Sequence, residues 1–284
     1  MQLDPAMREV LQWHPHVDVW ATVLLLAGGY LYAIRRIGPH RVADGEEVVS
    51  RRKAWQWYIG VAALWFVSDW PFHDLAEESM FAAHMVEHLV IAFVTAPLLL
   101  LGTPKWLAQM LVVDTGLLPF VRWVSKPVPA FLLFNFVFIG LHWPVIVTGM
   151  VTNSFTHFAV HLAMFLTGLA MWMPVISPLP EVRRISRPMQ MLYLMAHSMI
   201  PILPASFLTF GQSVIYPIYD TFPRLFEWTA IEDQTIAGVI MKLAGGFTLW
   251  GIIAGIWFKW TGEQAEWDAI ERRLRADDEV RGGA

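Results

Sequence analysis

The sequence predicts an all-α integral membrane protein: a bundle of seven transmembrane helices, with the N-terminus outside and the C-terminus in the cytoplasm. Three observations carry that reading. The 284 residues have a mean hydropathy of +0.47, with 56% hydrophobic and only 15% charged side chains, too little charge for a soluble chain of this length. Seven apolar runs are long enough to cross a bilayer core of about 30 Å, which takes about 20 helical residues. Lys and Arg gather on one side of those runs.

The runs extend from Val17 to Ile34, Ala54 to Trp70, Ala82 to Leu101, Val128 to Gly149, Ser154 to Pro174, Pro188 to Phe210, and Thr235 to Trp257. Each must be helical, because lipid offers an open backbone nothing to bond. Residues 1–16 are polar and hold no apolar core of the kind a cleavable signal needs, so the first helix is expected to be retained. The organisation expected is an external segment over 1–16, a seven-helix membrane domain over 17–258, and a cytoplasmic amphipathic tail over 259–284.

Orientation follows from the basic residues. The first loop holds Arg35, Arg36, Arg41, Arg51, Arg52 and Lys53, and the third holds Lys105, Arg122 and Lys126. The fifth holds Arg183, Arg184 and Arg187, and the tail holds Lys259, Arg272, Arg273, Arg275 and Arg281. Seventeen of the 20 basic residues thus share one side. Only Arg8 and Arg224 face them across the membrane, and Lys242 lies inside the last run. The positive-inside rule then places the C-terminus in the cytoplasm, and an odd number of spans places the N-terminus outside. A net charge of −4 argues against nucleic-acid binding.

The loops differ in character. Thr103 to Phe120 is moderately apolar and is expected along the inner interface. Tyr216 to Trp228 is aromatic and proline-broken and should cap the outer end, while Gly262 to Arg275 reads as a short amphipathic helix. Gly251 and Gly255 form a small-residue motif that serves either packing within the bundle or contact with another helix.

On this topology nine of the ten histidines fall in the outer half: His14, His16, His73, His84, His88, His142, His157, His161 and His197. Only His40 maps inside. His84 and His88 lie four residues apart on one face of the third span, and His157 and His161 repeat that spacing on the fifth. His142 comes near the outer end of the fourth span, and His197 reaches mid-membrane depth in the sixth. Polar groups at membrane depth are costly unless they face the bundle interior and find partners. A single such histidine commonly bonds a neighbouring helix; two pairs on the same side point to a shared ligand.

Cysteine is absent, which excludes disulfides, iron–sulfur clusters and thiolate metal sites. A metal would be held by His, Met, carboxylate or backbone. Zinc favours His with carboxylate in a tetrahedron, whereas copper(I) takes imidazole with thioether. Met80 and Met85 flank the first pair and Met199 follows His197, although core packing is the commoner role of Met. Haem b is the main rival, because two histidines on facing helices hold haem in membrane bundles. A hydrolase with Glu87 as base is a third reading, and it needs an open coordination position. Around the histidines, Glu87, Asp69, His73 and Asp233 are candidates to orient the ligands. Asp74 and Gln234 lie nearby, and Glu77, Glu78 and Glu232 read as plain interfacial caps. Lys242, about 10 Å below the outer surface by helix rise, either snorkels outward or pairs with Glu87 or Asp69.

Together these segments resemble the CtaG family of caa3-type cytochrome c oxidase assembly factors, seven-helix bacterial membrane proteins. The resemblance runs through Ser68-Asp-Trp-Pro71, His84-Met-Val-Glu-His88, and Ala96-Pro-Leu-Leu-Leu-Leu-Gly102-Thr-Pro104. It continues in His157-x-x-x-His161 leading to Trp172-Met-Pro174, then Phe207-Leu-Thr-Phe210 with Tyr216 and Tyr219. It closes on Asp233-Gln234 with Gly238-Val-Ile-Met241. The sequence departs from the family pattern at Glu87, where Gln is expected, at Val160, where Glu is common, and at Lys242, where Trp is expected.

The resemblance implies a multi-pass protein of the bacterial inner membrane that helps mature a haem–copper oxidase and has no enzymatic activity. It implies copper as cargo, with oxidase subunits and a copper donor as partners. The metal set expected is His84, His88, His157 and His161, with His142, His197 and Met85. The two histidine pairs should point inward and lie close enough to share one site.

Overall fold

A computed structural model describes residues 5–282 of the chain. The first four residues of the expected external segment and the last two of the tail lie outside the described residues. All regular structure in the described part is helical. Five helical stretches are long and apolar enough to cross a membrane: Val17–His40, Phe81–Gly102, Ser154–Ile176, Arg187–Phe210 and Ala230–Arg275. Leu118–Val124 and Pro127–Leu141 form a sixth candidate bent by 75°. Large apolar side chains such as Leu24, Phe66, Phe136, Phe207 and Phe258 stay exposed around the bundle, as the lipid-facing surface of a multi-pass membrane protein requires.

The elements follow the apolar runs, with breaks that proline explains. Helix α1 (Pro5–Val10) buries Met7 and Val10. Helix α2 (Val17–Tyr32) continues through a π turn and a 3-10 turn to His40. Helix α3 (Arg51–Ser68) is capped by the Ser50 hydroxyl, which accepts from the Lys53 amide. It begins with three basic residues and is rich in Trp, so it is less apolar than the five stretches above. Next comes α4 (Phe72–Glu78), a short helix that carries Glu77 and Glu78, both expected as interfacial caps.

The third span divides into α5 (Phe81–Val90), a π turn over Ile91–Thr95, and α6 (Ala96–Gly102). Pro97 has no N–H to give the preceding turn, and the Trp172 indole donates to the Ala92 carbonyl there at 2.8 Å. This stretch and Ser154–Ile176 are the most buried of the five and Val17–His40 the least, so these two form the interior of the bundle.

Helices α7 (Lys105–Val112) and α8 (Leu118–Val124) fill the third loop. The fourth run was expected to continue from Val128 to Gly149, but α9 (Pro127–Leu141) stops at His142 and α10 (Pro144–Thr152) starts anew. Pro144 forces Trp143 into extended backbone (φ −73°, ψ 132°). Helix α11 (Ser154–Ile176) is capped by Asn153, whose side chain accepts from the Thr156 amide. The sixth stretch is α12 (Arg187–Met199) and α13 (Ile202–Phe210), separated at Pro201.

Helix α14 (Ala230–Gly282) runs on without a break at Gly262, so the tail is not a separate helix. It packs on α5, α12 and α13. A Cβ built at Gly251 or Gly255 meets nothing within 4 Å; the small-residue motif is not used for packing inside this bundle.

Candidate metal centre

Two helix starts position the histidines. The Asp233 carboxylate, from the first turn of α14, accepts the Phe81 and Ala82 amides at 2.9 and 3.0 Å and so caps α5 from across the bundle. Arg224 holds the same carboxylate at 3.0 Å. Three residues further on, His84 points inward, with His88 one turn below it. Their ring centroids are 4.1 Å apart. On the facing helix α11, the His157 and His161 centroids are 4.5 Å apart. The pairs meet: His161 lies 6.3 Å from His84 and 5.6 Å from His88, ring to ring. The four histidines therefore come together inside the bundle, as the cost of turning imidazole toward lipid requires.

Two carboxylates knit the rings together. Glu77, on α4, accepts from His84 Nδ1 at 2.9 Å and lies 3.4 Å from His157 Nδ1. Glu87, on α5, accepts from His73 Nδ1 at 3.1 Å and lies 3.8 Å from His161 Nδ1. Glu87 is fully buried and Glu77 nearly so. Burial works against charge on His73, but the Glu87 carboxylate outweighs it and holds the imidazole pKa up at about 9. Burial likewise opposes ionisation of Glu77, yet His84 and His157 keep its carboxyl well below the ordinary range.

The donor set fits a metal ion. Ligand atoms of His84, His88 and His161 all lie within 4.8 Å of one another, as do those of Glu77, His84, Glu87 and His161, and those of His73, Glu77 and His157. Two nitrogens each about 2 Å from a shared ion are at most about 4 Å apart, so shifts of under an ångström would close the first set. Both His88 nitrogens, His161 Nε2, Glu77 Oε2 and Glu87 Oε2 are buried without a hydrogen-bond partner. Such atoms are expensive in a purely structural cluster. His73, His157 and His161 also line a cavity of about 260 Å3, together with Asp18, Thr22 and Ser68.

The other expected residues sit elsewhere. His197 is apart from the cluster: its Nδ1 accepts from the Asn135 amide at 3.2 Å among the rings of Phe131, Phe134 and Tyr193. This face of α12 meets α9. His142 donates through Nδ1 to the Phe138 carbonyl at 2.6 Å and closes the end of α9. Met85 packs in the apolar core. Asp69 orients no imidazole. It accepts the Trp20 and Trp65 indoles at 2.9 and 2.6 Å and so ties α2 to α3. Lys242 pairs with neither Glu87 nor Asp69; its ammonium stands 4.4 Å over the Phe210 ring.

Glu77 is the residue that sequence reasoning misplaced as a surface cap. Its signal was present, since His73 and Glu77 share the four-residue spacing of the two histidine pairs. Glu232 is a cap as expected, accepting the Thr229 amide at 2.7 Å.

Residues 28–263 match the cytochrome c oxidase caa3 assembly factor family (Caa3_CtaG). Comparison with curated proteins and with solved structures gives no match.

Proposed function

The chain belongs to the cytochrome c oxidase caa3 assembly factor family, and from that membership we propose that it binds copper at its histidine cluster and hands it to the maturing oxidase. The observation that carries the reading is the convergence of His84, His88 and His161 within 4.8 Å, with nitrogens left unpartnered in the interior. Imidazole suits copper among the first-row transition ions. Glu77 and Glu87 would orient the rings, and binding would displace the protons those pairs now share. The role is that of a carrier rather than an enzyme. The chain's partners would be oxidase subunits and a copper donor.

The location proposed is the bacterial inner membrane, crossed seven times. Helix α3 and the bent α8–α9 pair supply the two spans beyond the five apolar stretches. The N-terminus lies outside and the C-terminus inside, on the split of basic residues. The cluster then opens toward the side where oxidase copper centres are filled. A C-terminal reporter fusion should be active only in the cytoplasm.

The haem b alternative is less well supported. His84 and His161 have the separation of two axial ligands, but the His88 ring, 4.1 and 5.6 Å from them, takes space a macrocycle would need.

The test is the His84→Ala/His88→Ala double variant. It should insert normally and bind less copper. Oxidase activity per oxidase polypeptide should fall, and added copper should restore part of it by mass action. Full activity at limiting copper would overturn the reading, and a Soret band in the purified wild type would favour haem.

A further inference from the structure

Above the cluster lies a second group of donors that the copper reading has not used. The Asp74 carboxylate, on α4, is only 6% exposed, yet it faces two histidines from the segment preceding α2. His16 Nε2 donates to Asp74 Oδ1 at 2.7 Å, and His14 Nδ1 lies 3.5 Å from Asp74 Oδ2. Asp74 Oδ2 is buried without a hydrogen-bond partner. The imidazoles above it are open to solvent, His14 at 52% and His16 at 21% exposure. A place in the first turn of α4 explains one carboxylate. It does not explain two histidines brought from a different segment onto that carboxylate.

The group is continuous with the interior. The His16 ring meets the His73 ring edge-on at 5.1 Å. His73 reaches Glu87 at 3.1 Å and lies 4.9 Å from the His157 ring. From there Glu77 and Glu87 lead to His84 and His161. Imidazole and carboxylate donors thus follow one another from the solvent-facing surface to the buried His84 and His88. A cation moving along this line exchanges one ligand for the next without ever being stripped bare.

We propose that His14, His16 and Asp74 form an outer station for the same transition-metal cation, which loads the inner cluster by ligand exchange through His73. The inference rests on the copper reading above. It adds a second, weaker and solvent-facing site, and it names the route between the two. The cavity lined by Asp18 and Thr22 offers a different route, from the side, and the test separates them.

The experiment uses the full chain in detergent, with copper(I) supplied from a coloured competing chelator. Two quantities are read: the equilibrium isotherm and the rate at which copper leaves the chelator. The wild type should show a tight ion and a weaker one. His14→Ala/His16→Ala should lose the weaker ion, keep the tight one within about twofold, and load it more slowly than the wild type, because the imidazoles that would capture the cation first are gone. His14→Gln, at an exposed position, guards against a folding defect and should lose the weaker ion as well. Asp18→Asn should load at the wild-type rate.

If the double variant keeps both ions and the wild-type rate, the outer station is wrong while the copper reading stands. If Asp18→Asn alone slows loading, the side cavity is the route and the inference fails. If the wild type takes no copper from the chelator, the copper reading itself fails, and the outer station with it.

Discussion

In the histidine cluster, buried imidazoles and carboxylates bond to one another; at the basic end, Tyr30, Lys53, Trp57 and Trp106 bond to backbone carbonyls. His84 and His73 spend their Nδ1 donors on Glu77 and Glu87, and several nitrogens and oxygens in that group have no hydrogen-bond partner. At the other end the Tyr30 hydroxyl donates to the Gly102 carbonyl at 2.7 Å, and the Lys53 ammonium to the Thr103 carbonyl at 2.8 Å. The Trp57 and Trp106 indoles donate to Leu26 and Val48 carbonyls at 3.1 and 2.8 Å. A side chain bonded to backbone holds a fold in place and has nothing left to offer. A side chain bonded to a titratable neighbour can exchange that neighbour for a cation. The difference suits the basic end to stability and, on the function proposed above, the cluster to binding, and it can be broken from either side.

The largest effect is expected at the basic end. A Cβ at Gly102 would lie 2.6 Å from the Trp57 backbone nitrogen and 2.8 Å from its Cα, so α6 and α3 must separate to admit it. Backbone cannot rotate out of the way as a side chain can. The same shift would pull the Gly102 carbonyl from Tyr30. Gly102→Ala should therefore cost about 3 kcal/mol, the upper part of the range for overpacking, read as lower thermal stability in detergent. Surviving folded protein should bind copper with wild-type stoichiometry and affinity. A matching loss of affinity would show that the two ends are coupled.

A smaller effect, of the opposite kind, is expected from Glu77→Gln. The amide keeps the size of the carboxyl and one acceptor, but it cannot orient both His84 and His157 or balance an added charge. Groups that orient metal ligands typically contribute about 10-fold or more to affinity, equivalent to about 1.4 kcal/mol. Chelator competition should show that loss while the thermal midpoint moves less than in Gly102→Ala. Unchanged affinity would leave Glu77 as a structural tie alone.

Much of this division was legible in the sequence. Apolar runs located the membrane helices, and two His-x-x-x-His spacings located the faces that meet, because both signals depend only on helix period and on the cost of exposing polar groups to lipid. What escaped depends on where loops go. The segment from Pro71 to Ser79 carries three acidic residues and reads as surface, yet it folds back over the bundle and delivers His73 and Glu77 to the centre. Local polarity cannot distinguish a charge that faces water from one that faces a buried imidazole. His197 failed for a related reason: depth was readable, but which neighbouring helix its face meets, here α9, was not. Asp233 was identified as a neighbour of the site, although its job is to fix the start of α5 rather than to touch a histidine.

The smallest effect sharpens the boundary of the histidine-rich end. Lys242 lies in α14, facing Phe210 rather than any carboxylate. It shares its surroundings with Ser198, Ile202 and Gly246, and on the histidine-bearing α5 with the apolar Leu89. Replacing it with Met keeps the length and the apolar stem and removes the charge. The lost cation–π contact is worth about 0.5–1 kcal/mol at a partly exposed site. Removing an ammonium from a membrane helix works in the other direction, so Lys242→Met should change the thermal midpoint little, in either sense. Copper affinity should stay within about twofold, because that contact is not shared with the metal ligands. A charge close enough to repel a bound cation would behave differently, and its removal would raise affinity. Tighter copper binding in Lys242→Met would therefore extend the site to α14 and erase the boundary drawn here, whereas an unchanged isotherm confines it to α4, α5 and α11.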